Sequence, residues 1–155
     1  MSIPTADYTH LLREAVRQMK ANAPRAVDDL VRCASEAAKA VDDVTDGKAA
    51  LELQPINQEE GAKPAYQLVL RRVGSEAPPS DLGVYSLSEA GYPVKRWHSR
   101  NAWEARPAQA DRTFLNIDEL KSHFKWMISH PESRLVILVT FVQEQATSAD
   151  DPAQS

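Results

Sequence analysis

The hydrophobic pattern of this chain changes period at Ala50, and that change limits the folds open to it. Before it, Tyr8, Leu11, Leu12, Ala15, Val16 and Met19 recur at helical spacing, as do Val27, Leu30, Val31, Ala34, Ala38, Val41 and Val44. After it, side chains alternate: Tyr66, Leu68 and Leu70 fall on one side of an extended segment, Gln67, Val69 and Arg71 on the other. Strand runs that do not alternate regularly with helices predict an α+β domain whose mostly antiparallel sheet carries helices on one face.

Punctuation refines the order. Pro24 suits the first turn of a helix better than its interior, so the N-terminal block reads as a helical hairpin over residues 5–46 that stops near Asp46-Gly47. Leu51, Leu53 and Ile56 predict a short strand that Pro55 ends or confines to an edge. The segment VYSLSEAGYPVKRWH predicts a β-hairpin turning at Glu89-Ala90-Gly91, with the glycine in the left-handed region. Asn116 and Glu119 form a capping-box signal for a late helix with Ile117, Leu120, Phe124, Met127 and Ile128 on its buried stripe. Pro131 ends that helix, and RLVILVTFVQ reads as a final strand covered on both faces. The expected order is α-α-β-β-β-β-α-β, with about five strands, in one domain over residues 1–144. Residues 145–155 read as a disordered acidic tail.

A chain of 155 residues with 43% hydrophobic and 26% charged residues can bury its own core. Its single cysteine, Cys33, excludes an intramolecular disulfide and a cysteine-based zinc cage. The acidic, proline-containing start does not read as a secretory signal, and the longest apolar run is far below the roughly 20 residues of a membrane span. A soluble cytoplasmic protein with no membrane partner is the expectation.

The formal charge of −4 is unevenly spread, because residues 61–106 carry 7 Lys and Arg against 4 Asp and Glu while both flanking parts are acidic. Within that basic third, AGYPVKRWHSRNAWEARPAQ interleaves aromatics with arginines. Strand alternation puts Tyr92, Val94, Arg96 and His98 on one face and Pro93, Lys95 and Trp97 on the other. With Trp97 placed beside Tyr85 and Leu87 on the core side, Arg96, His98, Arg100, Trp103 and Arg106 remain as the candidate partner-binding surface. Trp103, in a loop, is the expected apolar anchor, and the arginines supply charge complementarity.

These residues point to a small non-catalytic binding or regulatory module that recognises a protein partner. The N-terminal helices, through the alanine-rich stripe from Val27 to Val44, offer a surface for pairing two copies into a homodimer. Single-stranded nucleic acid is the alternative partner, since stacking aromatics beside basic groups are what such a ligand requires. A hydrolase or nuclease is a second alternative and needs His98, His123 or His130 to converge with carboxylates. Glu119, His123, Trp126 and His130 share one sector of the late helix, but no phosphate loop, dinucleotide fingerprint, nucleophile elbow or HExxH motif is present. No catalytic residue, metal ligand or cofactor is assigned from the sequence.

Overall fold

A computed structural model describes residues 5–56, 64–88, 91–105 and 109–150. The described residues form an α+β fold built on a five-stranded antiparallel sheet. Helix α1 (Thr5–Thr45) is followed by β1 (Ala49–Pro55), β2 (Ala65–Arg72), β3 (Ser80–Ser88) and β4 (Gly91–Trp97). A one-turn helix α2 (Arg100–Glu104), a short strand β5 (Arg112–Phe114), and helices α3 (Ile117–Ser129) and α4 (Arg134–Asp150) complete it. The strands lie side by side in chain order, so β1 and β5 are the edges. β1 ends at Pro55, as its proline dictates.

The main core lies between one sheet face and α1, α3 and α4. Leu30, Ala34, Ala37 and Val41 of α1 meet Leu51, Leu68, Leu70, Tyr85, Leu87 and Val94 of the sheet, with Leu120, Phe124 and Met127 of α3 closing the side. Asp46 and Gly47 take positive φ angles of 52° and 76°, and the Gly47 amide returns to the Asp42 carbonyl at 3.0 Å. This left-handed exit is the expected stop of the helix and turns the chain into β1.

Three expectations are corrected. The helical hairpin is one continuous helix of 41 residues, about 60 Å long at ~1.5 Å per residue. Pro24 costs the ladder one amide donor without breaking it, and among the described side chains of α1 Ala26 is the first that is buried. The final strand is instead α4. In it Leu135, Leu138, Val139 and Val142 form an i, i+3, i+4, i+7 stripe against the core, while Ile137 and Phe141 remain exposed. The helix includes residues 145–150 of the expected tail, and residues 151–155 lie outside the described residues.

The third correction concerns register. β3 and β4 pair Tyr85 with Arg96, Leu87 with Val94 and Val84 with Trp97, and a bulge separates these pairs from Ser88–Gly91. Gly91 has a φ of 90°, as the expected left-handed glycine would, while Glu89 and Ala90 lie outside the described residues. The core face therefore carries Tyr92, Val94 and Arg96, and Trp97 faces the other way. There Trp97 and Ile56 pack against a second small cluster of Ala65, Val84 and Trp103. Among the described residues no helix is long and apolar enough to cross a membrane.

Candidate functional site

The arginine and aromatic stretch folds back on the sheet. Ser99 caps α2 by accepting from the Ala102 amide at 3.1 Å, and Asp81 accepts the Gly83 amide at 3.0 Å and the Arg100 amide at 2.7 Å. Held in this way, α2 presses Trp103 onto Ala65 and Val84. Trp103 is only 6% exposed, so it is a lid on the second cluster and not an exposed anchor.

Arg96 is half-buried on the core face. Its guanidinium donates to the Leu82 carbonyl at 2.8 Å and lies 5.9 Å from the Tyr85 ring centroid. Gly83 makes room for it, since a Cβ there would stand 3.2 Å from Arg96 Nε and 2.6 Å from the Trp97 carbonyl. His98 and Arg100 are exposed but have local partners. His98 Nδ1 lies 2.9 Å from Asp111, whose carboxyl is held below its usual range by the His98 hydrogen bonds against a burial penalty. Arg100 pairs with Glu104 at 2.9 Å and reaches Gln67 at 3.2 Å. Arg106 lies outside the described residues. The structure thus keeps His98 and Arg100 on the surface, turns Arg96 and Trp103 inward, and leaves no apolar anchor among the described members of the set.

The histidines take separate partners. His123 is 3% exposed, where a polar helix flank was expected, and Ile128, expected in the core stripe, is exposed. His123 Nε2 lies 2.7 Å from the Tyr85 hydroxyl, which is also 3.6 Å from Met127 Sδ. A chain of donors from Nε2–H to Tyr85 to sulfur leaves Nδ1 as a buried acceptor without a partner, a smaller penalty than an orphaned N–H. This tautomer follows from hydrogen-bond accounting. Burial, with Arg96 and Arg112 nearby, pushes the His123 pKa down to about 3, and burial raises that of Tyr85 to about 12. Both are neutral near pH 7, and neither is poised for proton transfer there.

An open cleft of about 570 Å³ lies beside His123, lined by Arg112, Phe114, Asp118, Glu119, Ser122 and Trp126 among others. Glu119 in this cleft is engaged in capping α3: its amide donates to Asn116 at 3.0 Å and its carboxylate accepts from the Leu115 amide. His130 stacks on Trp126 with centroids 5.2 Å apart and accepts the Glu132 amide at 3.1 Å. No group of three or more His, Cys, Asp or Glu side chains is placed to hold a metal among the described residues.

The largest departure from a satisfied surface lies elsewhere. The α1 face that packs on the sheet from Ala26 onward continues toward the N-terminus as Tyr8, Leu11, Leu12, Ala15 and Val16. Here Tyr8 is 57%, Leu11 62% and Leu12 67% exposed. A cleft of about 360 Å³ sits where this segment meets the body, lined by Ala15, Gln18, Arg25, Asp29, Tyr92 and Leu115 among others, and Leu115 is itself exposed. Within it the Tyr92 hydroxyl donates to Asp29 at 2.8 Å, and burial together with that carboxylate raises the tyrosine pKa. The Met19 side chain, the last member of the expected stripe, lies outside the described residues. The spacing of this stripe was legible in the sequence, but a hairpin would have hidden it; only the unbroken helix carries it past the body.

Compared with known proteins, the chain matches no family model, no curated protein and no solved structure.

Proposed function

We propose that the protein is a non-catalytic binding module for a protein partner, and that its recognition element is the N-terminal half of α1. The observation that carries this reading is the exposed stripe of Tyr8, Leu11, Leu12 and Val16 on a helix whose other half is fixed in the core. An amphipathic helix with contiguous apolar residues at i, i+3, i+4 and i+8 is a common recognition unit, because its face fills a groove on the partner. Anchoring one end limits the entropy lost when the other end is covered.

Among the described residues of the 92–105 segment, Arg100 already pairs with Glu104 and Arg96 is turned inward onto the Leu82 carbonyl, so a nucleic acid would have to displace local contacts before gaining new ones. Leu11→Asp combined with Leu12→Asp tests the proposal. Both side chains are largely exposed and lie outside the core, so the body of the variant should still unfold in one cooperative transition, with any loss of helicity confined to the turns before Pro24. Affinity capture from the native cell with this variant should lose the proteins that co-purify with the wild type. Recovery of the same proteins by the folded variant refutes the assignment.

A further inference from the structure

We infer that the uncovered half of α1 is the interface of an antiparallel, two-fold homodimer centred near Leu12. This rests on the reading of that half as the recognition element and names its occupant as a second copy of the same segment.

The body restricts what can lie on the stripe. From Ala26 onward the same helix face is occupied by the sheet and α3, so a second helix running parallel to α1 would carry its own body into that space. A helix running antiparallel avoids this: its C-terminal half, and the body attached to it, extend past the N-terminus of the first. A two-fold axis perpendicular to α1 at Leu12 produces this arrangement for both copies at once. It opposes Tyr8 of one copy to Val16 of the other and places the two Leu12 side chains together.

Fit at the junction supports the same occupant. With the axis at Leu12, the first turn of the second copy falls level with Ala15 and Gln18, which form one wall of the cleft below Leu115. The exposed portions of Tyr8, Leu11, Leu12, Val16 and Leu115 amount to roughly 500 Å² per copy, so covering them completely in both copies would bury about 1,000 Å², near the threshold of a specific interface. Antiparallel packing also sets like flanks of the stripes together, Asp7 and Glu14 on one side and Arg13 on the other, but Glu14 is already paired with Arg17 of its own helix at 3.1 Å. Charges at such a solvated rim weigh little against the apolar contact.

The test uses the full chain. Sedimentation equilibrium from low to high micromolar concentration should approach twice the 17.2 kDa monomer mass. Leu12→Asp, at the axis, should weaken association at least roughly thirtyfold. Geometry is read independently with spin labels on Asp28→Cys, an exposed site on α1; the native thiol, Cys33, is buried. Sixteen residues beyond Leu12 in each copy, the labels should stand about 50 Å apart along the axis at ~1.5 Å per residue. A monomer with α1 intact overturns the inference, as does a dimer indifferent to Leu12→Asp. A parallel dimer, with the labels within about 25 Å, also overturns it. If the chain is monomeric while the Leu11 and Leu12 substitutions still abolish partner capture, the dimer falls and the recognition reading stands.

Discussion

Lowering the pH from 7 to 5 should remove about 2 kcal/mol of folding stability through His123 alone. Its imidazole has an ordinary pKa of 6.5 in the unfolded chain and about 3 in the folded one, because burial and the nearby Arg96 and Arg112 disfavour the cation. Between these values the unfolded state binds the extra proton, so stability falls as the pH falls. The contribution is complete above pH 6.5 and drains away toward pH 3. At pH 5 the unfolded imidazole is about 97% protonated and the folded one is almost wholly neutral, which gives the ~2 kcal/mol by linkage. Guanidinium unfolding curves at pH 7 and pH 5 measure the loss, and His123→Gln supplies the control. Glutamine presents a neutral amide toward Tyr85 and cannot titrate, so the variant starts from a lower stability but should lose about 2 kcal/mol less over the interval. Equal losses in wild type and variant would refute the buried, neutral histidine.

Two further substitutions test the packing. Trp103→Ala should cost about 3 kcal/mol by emptying the second cluster, read as a lowered denaturant midpoint with unchanged slope; an unshifted midpoint would mean that the indole does not pack on Ala65 and Val84. Gly83→Ala should cost about 2 kcal/mol or more, because a φ of 121° and a contact of 2.6 Å with the Trp97 carbonyl leave no room for a Cβ. A midpoint equal to that of the wild type would contradict this close approach.

The period change at Ala50 made the helix-to-sheet transition legible, and side-chain alternation assigned the faces of β2 correctly, with Leu68 and Leu70 in the core. What alternation lacks is the partner strand's phase. The bulge between β3 and β4 lies beside the turn, where the chain has local freedom, and it reversed which face of β4 meets Tyr85. That reversal moved Arg96 inward and Trp97 outward, and the candidate surface changed with it. α4 misled for a different reason. A run apolar at nearly every position satisfies both periods, and its β-branched residues favoured a strand. The usable signal was Ser133, whose hydroxyl accepts the Val136 amide at 3.4 Å and donates to the Met127 carbonyl at 2.5 Å, starting a helix after Pro131. His123 was masked by residue type: the wheel placed it beside the stripe, and only the hydroxyl of Tyr85, 38 positions away, makes its burial tolerable.

The position of Pro24 gives α1 two local stabilities within one helix. The half beyond Ala26 melts only with the core and serves as a ready nucleus for the turns before it, sparing them the unfavourable initiation that isolated helices of similar length face. Propagation toward Tyr8 must still cross a residue with no amide hydrogen, and among the described side chains before Ala26 none is buried to reward it. Amide exchange in residues 5–20 is therefore set by local fraying, and in the part of α1 beyond Ala26 by global unfolding. Whatever covers Leu11 and Leu12 also slows that fraying, so helicity before Pro24 is itself a readout of occupancy.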